Sequence, residues 1–391
     1  MNLLKNIATI GSGQNAPQEE SEYSVLGKTF IKVSNLDDII QDQNESRACK
    51  ITADAINKNK LKLYPKNTII FAKSGLSCVK NRVYLTKDDS YIVNHLCTIS
   101  NIKNDYYPKW LLYFIKNYDV TKLIHDESYP SISLKDIGKI EIPEVGLNIQ
   151  ILISNQLDFI IETINKKLVQ LNQLNELVKS RFIEMFGDPI QNEKAWNSSI
   201  LNEVTDVRDG THDSPKYHDR GYPFVTSKNL IDGKIDFSTC QLISEEDYLH
   251  FNDRSRVDDG DILMPMIGTI GGAIIVKKDR EFSIKNVALI KFTKDNTKIN
   301  RTFILYILNS DSMNNYFELT KKGGTQKFIA LGVIRNIPII VPPIELQNEF
   351  DKFVNQIDKS KFVCYSKYFL WLNLTFVSST IAYSNVVSIL E

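Results

Sequence analysis

One segment of the chain has a long helical pattern of hydrophobic positions. From Asn148 to Phe186 there is no proline or glycine, and apolar residues recur at steps of three and four. This spacing predicts an α-helix with a single apolar stripe, about 58 Å long at 1.5 Å per residue. Gly187 and Pro189 follow the segment, as is typical of a helix end. The stripe consists of Ile153, Leu157, Ile160, Ile164, Leu168, Leu171, Leu174, Val178, Phe182 and Met185.

The chain on either side of this segment repeats one pattern of apolar and polar residues. The stretch Ser131–Gln150 (SISLKDIGKIEIPEVGLNIQ) matches Phe328–Gln347 (FIALGVIRNIPIIVPPIELQ) at an offset of 197 residues. Further matches occur in the same order in both halves, which predicts a duplicated domain. They pair Leu3–Gly13 with Ile200–Gly210, Phe30–Leu36 with Phe224–Leu230, Thr68–Gly75 with Asp261–Gly268, and Trp110–Ile115 with Phe303–Leu308.

Each copy combines short strands with a short helix. Runs such as TIIFA and GGAIIV, separated by Gly, Asn and Asp, predict strands and turns. The runs KWLLYFIKNY and RTFILYILNS predict the helices, and an Ile-rich strand follows each. We therefore predict an α/β (α+β) fold with two β-rich mixed domains in tandem, 1–147 and 195–343. The central helix occupies 148–187, and a distal helix at 344–391, starting in PPIELQNEFDKFVNQIDK, covers the apolar stripe.

Composition limits the possible partners and the compartment. The chain has 391 residues, of which 42% are hydrophobic and 24% charged, as in a folded protein with two or three domains. Lys+Arg and Asp+Glu number 47 each, so a nucleic-acid partner would require a local basic surface or a basic second subunit. No signal peptide is predicted, and five scattered cysteines without a CxxC pair fit a reducing compartment. These features favour a cytoplasmic location.

The C-terminal segment differs from the rest of the chain. Tyr368–Leu390 contains no charged residue and is long enough to span a membrane. It also contains two Asn and several Ser and Thr, and no cluster of Lys or Arg flanks it, which argues against a span. We expect no membrane association and interpret the segment as an atypical apolar C-terminus of the distal helix.

The sequence contains no recognisable catalytic motif. A nucleotide-amino methyltransferase would need a glycine-rich cofactor loop and a proline-aromatic motif, and neither is found. The fragment LGKT is not a phosphate-binding loop, because Glu22 occupies the position where that loop requires glycine. The five histidines lack metal-ligand spacing, and no carboxylate cluster of a metal nuclease is evident. We therefore predict no catalytic residue, no metal site and no cofactor in this chain.

Polar, glycine-bearing loops offer a different chemistry, although each could also be an ordinary solvated turn. Gly allows close backbone approach to a phosphate, Lys supplies positive charge, and Gln, Asn, Ser, Thr and His can hydrogen-bond to base edges. The loop KKGGTQK is the best candidate, because three lysines flank a Gly pair. The candidate DNA-binding residues are Gln14, Asn15, Lys32, Lys73, Ser74, Tyr129, Ser131, Thr211, His212, Ser214, Lys216, Lys228, Thr269, Lys321, Lys322, Gly323, Thr325, Gln326 and Lys327.

The motifs resemble those of a known family. GYPFVTSKNLIDGKIDF, DGDILMPMIGTIG, IPIIVPPIELQNEF and LVKSRFIEMFGDP are similar to segments of specificity subunits of type I restriction-modification systems, in that family's order. The resemblance covers about residues 1–360. It implies two target recognition domains, each binding one half of a bipartite double-stranded DNA site, separated by antiparallel spacer helices that set the gap.

The resemblance also implies partners and leaves alternatives. Two methyltransferase subunits would carry the S-adenosylmethionine chemistry, and restriction-translocase subunits would use ATP and Mg. After about Lys361 the chain departs from the family pattern. The resemblance therefore does not extend to the distal part of the second spacer helix or to assembly with the methyltransferase subunits. One alternative is the recognition part of a restriction or methyltransferase enzyme with an unrecognised active site. The other is a membrane-tethered interaction protein.

Overall fold

The computed structural model describes residues 1–268, 270–292, 298–323 and 327–361. These residues fall into two compact units, residues 1–165 and 166–361. The long helix predicted from the apolar stripe is present as a 40-residue helix, Leu147–Phe186, and the boundary between the units lies within it.

The first unit combines nine short strands with five short helices before the long one. The strands are β1 (Asn2–Leu3), β2 (Thr9–Ser12), β3 (Tyr23–Ile31), β4 (Cys49–Ile51), β5 (Ile69–Ala72), β6 (Val83–Leu85), β7 (Tyr91–Ile92), β8 (Leu96–Ser100) and β9 (Glu141–Ile142). The helices are α1 (Leu4–Ile7), α2 (Leu36–Asp42), α3 (Ala53–Lys58), α4 (Pro108–Tyr118), α5 (Leu134–Ile137) and α6 (Leu147–Phe186).

Three small sheets organise the first unit. Four antiparallel strands form the sheet β2-β8-β5-β6, and β4-β3-β7 form a second sheet in which β3 and β7 are parallel. The first and last strands, β1 and β9, pair antiparallel and close the unit. Strands β5 and β8 are buried along their whole length. This burial follows from the apolar run of β5, whereas β8 also buries Thr98 and Ser100. Helix α4 packs into the same core through Trp110, Leu111 and Ile115.

Among its described residues, the second unit has eleven strands, β10 (Asn197–Ile200), β11 (Asp206–Asp209), β12 (Tyr222–Val225), β13 (Leu230–Ile231), β14 (Lys234–Ile235), β15 (Gln241–Ile243), β16 (Ile262–Pro265), β17 (Ile274–Ile275), β18 (Ser283–Ile284), β19 (Val287–Lys291) and β20 (Pro338–Val341). Its helices are α7 (Leu201–Val204), α8 (Glu245–Ser255), α9 (Arg301–Leu308), α10 (Asp311–Thr320), α11 (Leu331–Arg335) and α12, residues 344–361 as far as the structure describes it.

The second unit repeats the topology of the first. Its sheets are β11-β19-β16-β17, β15-β12-β18 with β12 and β18 parallel, and the closing pair β10-β20. The hairpin β13-β14 is an addition to this plan. The repeated sequence pattern therefore corresponds to a repeated fold, and the predicted mixed α/β class with two β-rich regions and long helices is confirmed.

The two long helices pack together within the second unit. Phe350 of α12 lies 5.4 Å from Phe182 and 5.6 Å from Phe186 of α6, measured between ring centroids. Phe303 of α9 completes this aromatic cluster. The predicted stripe is buried at Leu171, Val178, Phe182 and Met185, whereas Leu168 is 50% exposed. Burial of the stripe is thus strongest where α6 enters the core of the second unit.

A buried glutamine joins each β-rich region to its long helix. Gln150, near the start of α6, and Gln347, near the start of α12, are both completely buried. Gln150 Oε1 accepts a hydrogen bond from the amide of Tyr107 (2.7 Å), and its Nε2 donates to the carbonyls of Asp105 and Val145 (3.0 and 2.6 Å). Gln347 makes the corresponding bonds with Asn300, Lys298 and Pro342 (2.9, 3.0 and 2.8 Å).

The C-terminal segment, for which we predict an atypical apolar end of the distal helix and no membrane span, lies outside the described residues. The uncharged run Tyr368–Leu390, and the distal helix beyond residue 361, belong to that part of the chain. In the described part, no helix combines the length and the apolar composition needed to cross a bilayer.

Candidate nucleic-acid interface

In the first unit, the turn between β7 and β8 holds the loop that follows β2. Gln14 forms a parallel β-bridge with Val93, and the amide of Asn94 donates to the carbonyl of Gln14 (2.8 Å). The side-chain amide of Asn94 also donates to Asn15 Oδ1 (2.6 Å). This turn was not among the candidates, yet it positions two of them.

The same turn holds the loop that follows β5. The amide of Lys73 donates to the carbonyl of His95 (2.9 Å), and Ser74 Oγ lies 2.8 Å from His95 Nδ1. Ser74 in turn forms an antiparallel bridge with Ser131, and the amide of Gly75 donates to the carbonyl of Pro130 (2.9 Å). Two loops distant in sequence therefore meet at the β7-β8 turn, and a third joins them through its contacts with Ser74 and Gly75.

The second unit closes its loops in the same way. Thr211 forms a parallel bridge with Lys285, and the amide of Asn286 donates to the carbonyl of Thr211 (3.2 Å). Ile267 pairs with Phe328 as Ser74 pairs with Ser131, both antiparallel. Since the same two bridges recur at equivalent positions, each unit brings together an equivalent set of polar loops. We name each set the loop face of its unit.

The loop face of the second unit contains a charged network that the first unit lacks. His212 Nδ1 lies 2.6 Å from Asn286 Oδ1, and His212 Nε2 lies 3.0 Å from Asp209 Oδ2. Asp209 is buried and also pairs with Arg254. At the equivalent position of the first unit, the neutral Asn15 contacts Asn94. The two loop faces therefore share a backbone frame and differ in side-chain chemistry.

The individual candidates differ in how free their side chains are. The side chain of Gln14 donates a hydrogen bond to the carbonyl of Lys60 and accepts one from the amide of Lys62, so this residue stabilises a loop. Lys32 lies over the ring of Tyr23, with its Nζ 4.1 Å from the centroid. Tyr129 is 84% exposed. Ser131 is also exposed and available for contact.

In the second unit, Lys285 Nζ donates to Ser214 Oγ (2.6 Å), which fixes the loop that carries Lys216. Lys216 and Lys228 are exposed. Lys321 pairs with Glu318, and this hydrogen bond raises the pKa of the Lys321 ammonium. Lys322 pairs with Phe328 through the backbone, and the carbonyl of Lys327 accepts a hydrogen bond from the amide of Gly268. Gly323 is the last described residue of its loop before residue 327. Thr269, Thr325 and Gln326 lie outside the described residues.

Residues that sequence reasoning missed are the connecting turns, Asn94 and His95 in the first unit and Lys285 and Asn286 in the second. The first turn follows β7, which pairs in parallel with β3, and the second follows β18, which pairs in parallel with β12. Their only sequence signal was a polar dipeptide between two buried runs, VNH and IKN. They supply amides, imidazole and ammonium groups of the kind that contact bases and phosphates.

A carboxylate braces the first loop of this interface. Glu22 Oε2 accepts from the backbone amides of Gln18 and Glu19 (3.0 and 2.9 Å), and Glu22 Oε1 accepts from Asn59 Nδ2 (2.7 Å). The hydrogen bond from Glu19, followed by that from Asn59, lowers the pKa of Glu22. The charged form of Glu22 therefore holds the end of the loop that carries Gln14 and Asn15.

The described residues contain no group of three or more His, Cys, Asp or Glu side chains that could hold a metal ion. What the two loop faces offer is a set of hydrogen-bond donors and acceptors with several lysines. Such a surface suits recognition of nucleic acid.

Comparisons with known proteins agree with this geometry. A family model, the type I restriction modification DNA specificity domain, matches residues 3–176 and 193–362. The MjaVIII type I restriction enzyme specificity subunit of Methanocaldococcus jannaschii is 27% identical over 249 residues. That alignment spans 59% of this chain and 58% of the relative, so it covers less than two thirds of that protein.

Solved structures share the fold. The S subunit of a type I restriction-modification system from M. genitalium matches with a TM-score of 0.53 and 14% identity, over 97% of this chain and 93% of that one. A chain from a study of complex assembly and conformational transition in the type I system matches with a TM-score of 0.59 and 16% identity, over 95% and 94%. With two family domains and this fold, the chain belongs to the specificity subunits of type I restriction-modification systems.

Proposed function

We propose that this chain is the non-catalytic subunit that gives a type I restriction-modification complex its DNA sequence specificity. The observation that carries the proposal is the repeated closure of the loop faces, through Gln14–Val93 and Ser74–Ser131 in one unit and Thr211–Lys285 and Ile267–Phe328 in the other. Two equivalent frames with different side chains suit two different half-sites. Target recognition domains at 1–147 and 195–343 would each bind one half of a bipartite sequence.

The long helices would set the distance between the half-sites. A helix of 40 residues is about 60 Å long, whereas one turn of DNA advances about 34 Å. In this proposal the central spacer occupies 148–187 and the distal spacer 344–391. The buried Gln150 and Gln347 support the role, because each ties the start of a spacer helix to its recognition domain. The gap in the target would then be a property of the helices.

The catalytic functions would belong to partner subunits. Two methyltransferase subunits would bind the spacer helices and bring S-adenosylmethionine, and restriction-translocase subunits would bring ATP and Mg. Such partners would also supply positive surface, which this chain needs because its net charge is +0. We also propose a cytoplasmic location, because the five scattered cysteines without a CxxC pair fit a reducing compartment.

A comparison of the isolated chain with the assembled complex tests the proposal. The chain is purified alone and with its methyltransferase subunits, and each sample is incubated with DNA and S-adenosylmethionine or Mg²⁺. We expect adenine methylation only in the assembled sample. Methylation or cleavage by the lone chain would contradict the proposal and favour an enzyme with an unrecognised active site.

A further inference from the structure

A basic groove lies on the first unit at the start of β2, the strand that leads to the loop face. It has a volume of about 530 Å³ and is formed by α1, the start of β2, and α5 with the residue pair that follows it. Three lysines line it, Lys5, Lys135 and Lys139, and all three are exposed. The backbone closes its floor, since the amide of Lys5 donates to the carbonyl of Gly138 (3.2 Å). We name this feature the lysine groove.

The lysine groove has a net positive charge. Lys139 Nζ lies 2.8 Å from Asp136 Oδ1, and His125 Nε2 lies 3.4 Å from Asp136 Oδ2. Among the described residues, Lys5 and Lys135 have no such carboxylate partner. Asp136 therefore neutralises about one of the three lysines, and two positive charges remain uncompensated.

Its position places it next to the proposed DNA contact. Helix α5 begins directly after the loop that contains Ser131, so Lys135 is four residues from that candidate. Strand β2 runs from the groove at Thr9 into the loop that carries Gln14. At about 3.3 Å per residue, four residues span at most about 13 Å. A duplex on the loop face could therefore extend over the groove.

The second unit carries less of this charge, since its equivalent surface has one exposed cation, Arg335 at the position of Gly138. The residues equivalent to Lys5, Lys135 and Lys139 are Asn202, Gly332 and Asn336 at the repeat offset of 197. Asn202 and Gly332 hold the second positions of α7 and α11, as Lys5 and Lys135 hold those of α1 and α5. The duplicated backbone thus carries the lysines on one side only.

We propose that the lysine groove binds the phosphate backbone of DNA that flanks the first half-site, and that the second unit, which has a single arginine on the equivalent surface, makes a smaller flanking contact. The inference rests on the proposed function and adds an asymmetry to it. The complex would contact a longer stretch of flanking DNA on one side of its target than on the other. Phosphate is the fitting partner, because ammonium groups on an open groove suit a repeating anion and read no base.

The test uses the assembled complex with its methyltransferase subunits and a duplex that carries the complex's own mapped methylation site. Affinity is measured by fluorescence anisotropy from low to high salt for the native complex and for Lys5→Gln/Lys135→Gln/Lys139→Gln. Each phosphate contact contributes about 0.9 to the slope of log K against log salt. Because Lys139 remains paired with Asp136, we expect the slope to fall in magnitude by about 2.

Matched variants locate the effect. Lys66→Gln/Lys87→Gln removes two exposed charges that do not line the groove, from the turns before β5 and after β6, and should leave the slope unchanged. The reciprocal variant Asn202→Lys/Gly332→Lys/Asn336→Lys should steepen it by about 3, because Val333 stands at the position of Asp136 and does not neutralise an added lysine. Gly332 tolerates a side chain, because a Cβ there would meet no atom within 4 Å. Shortening the duplex on one flank only should reproduce the loss in the native complex.

The outcomes separate this inference from the proposed function. Specific binding with an unchanged salt slope in the triple Lys→Gln complex would overturn the proposed phosphate contact of the lysine groove and leave the specificity function intact. Loss of methyltransferase-subunit binding in that variant would also overturn it, by assigning the groove to a protein partner. A complex that binds its site no better than unrelated DNA would overturn both.

Discussion

Gln150 and Gln347 make the same three hydrogen bonds in the two units, each with one backbone amide and two backbone carbonyls. Both side chains are completely buried at the point where a β-rich region passes into a long helix. A buried amide that satisfies three backbone groups fixes the direction of the chain around it. The repeated sequence at this joint therefore encodes a fixed attachment of helix to domain.

Gln150→Ala and Gln347→Ala should each destabilise their own unit. Each change leaves one amide and two carbonyls buried without a partner, at a cost of about 3 kcal/mol. For a unit of this size, that corresponds to a fall of about 6–12 °C in the thermal midpoint. Differential scanning calorimetry of the intact chain measures it.

Gln156→Ala is the matched control, because Gln156 lies on the same helix as Gln150 and is exposed. Its midpoint should change by no more than about 2 °C, as for most surface substitutions. Equal midpoints for Gln150→Ala and Gln156→Ala would show that the buried glutamine does not hold the joint.

The aromatic cluster at the second joint should also be sensitive to truncation. Phe350 is fully buried, and its ring contacts Phe182, Phe186 and Tyr306. Phe350→Ala should lower the free energy of unfolding of the second unit by about 4 kcal/mol, through lost burial and a cavity. Urea denaturation followed by fluorescence measures this. Leu319→Ala, at a side chain that is 87% exposed, should cost less than about 0.5 kcal/mol, and a similar cost for both would refute the packing.

Glu22 should make the first unit sensitive to acid. Its folded-state pKa is lowered, so the charged carboxylate stabilises the fold fully above the unfolded pKa of about 4.3. That contribution is lost as the pH falls through the folded pKa. Glu22→Gln should therefore lower the thermal midpoint at pH 7, and the difference from the native chain should shrink below about pH 4. A midpoint difference that is constant from pH 7 to pH 3 would contradict this role.

Asn94 and Asn286 should each influence one half-site. Asn94 contacts Asn15 in the first unit, and Asn286 contacts His212 in the second. In the assembled complex, Asn94→Ala should reduce discrimination at one half-site about tenfold, and Asn286→Ala should do so at the other. Competition with duplexes in which one half-site is scrambled measures both effects, and each variant is the control for the other. Loss at the same half-site in both variants would be incompatible with the duplicated loop faces.

The sequence allowed the duplicated plan and the long helix to be predicted, because both follow from periodic apolar positions. The repeat that relates Gln150 to Gln347 also relates the sheets that precede them, with an offset that drifts by a few residues from 197. Helix α10, Asp311–Thr320, was not predicted, since its polar residues give a weaker apolar pattern than those of α9.

The connections within the loop faces could not be predicted. Asn94 meets Asn15 across 79 residues, and His212 meets Asn286 across 74. These contacts depend on where short strands place their ends, which a local pattern does not specify. For the same reason the sequence did not show that Gln14, a predicted DNA contact, hydrogen-bonds through its side chain to the backbone of Lys60 and Lys62.

The central claim is that two recognition domains held by long helices read two separate half-sites. The most direct measurement is to express the chain with its methyltransferase subunits and to map methylated adenines by modification-sensitive sequencing. The account predicts one asymmetric motif with two specific blocks and a gap of fixed length. A single continuous short motif, or no methylation with competent partner subunits, would contradict it.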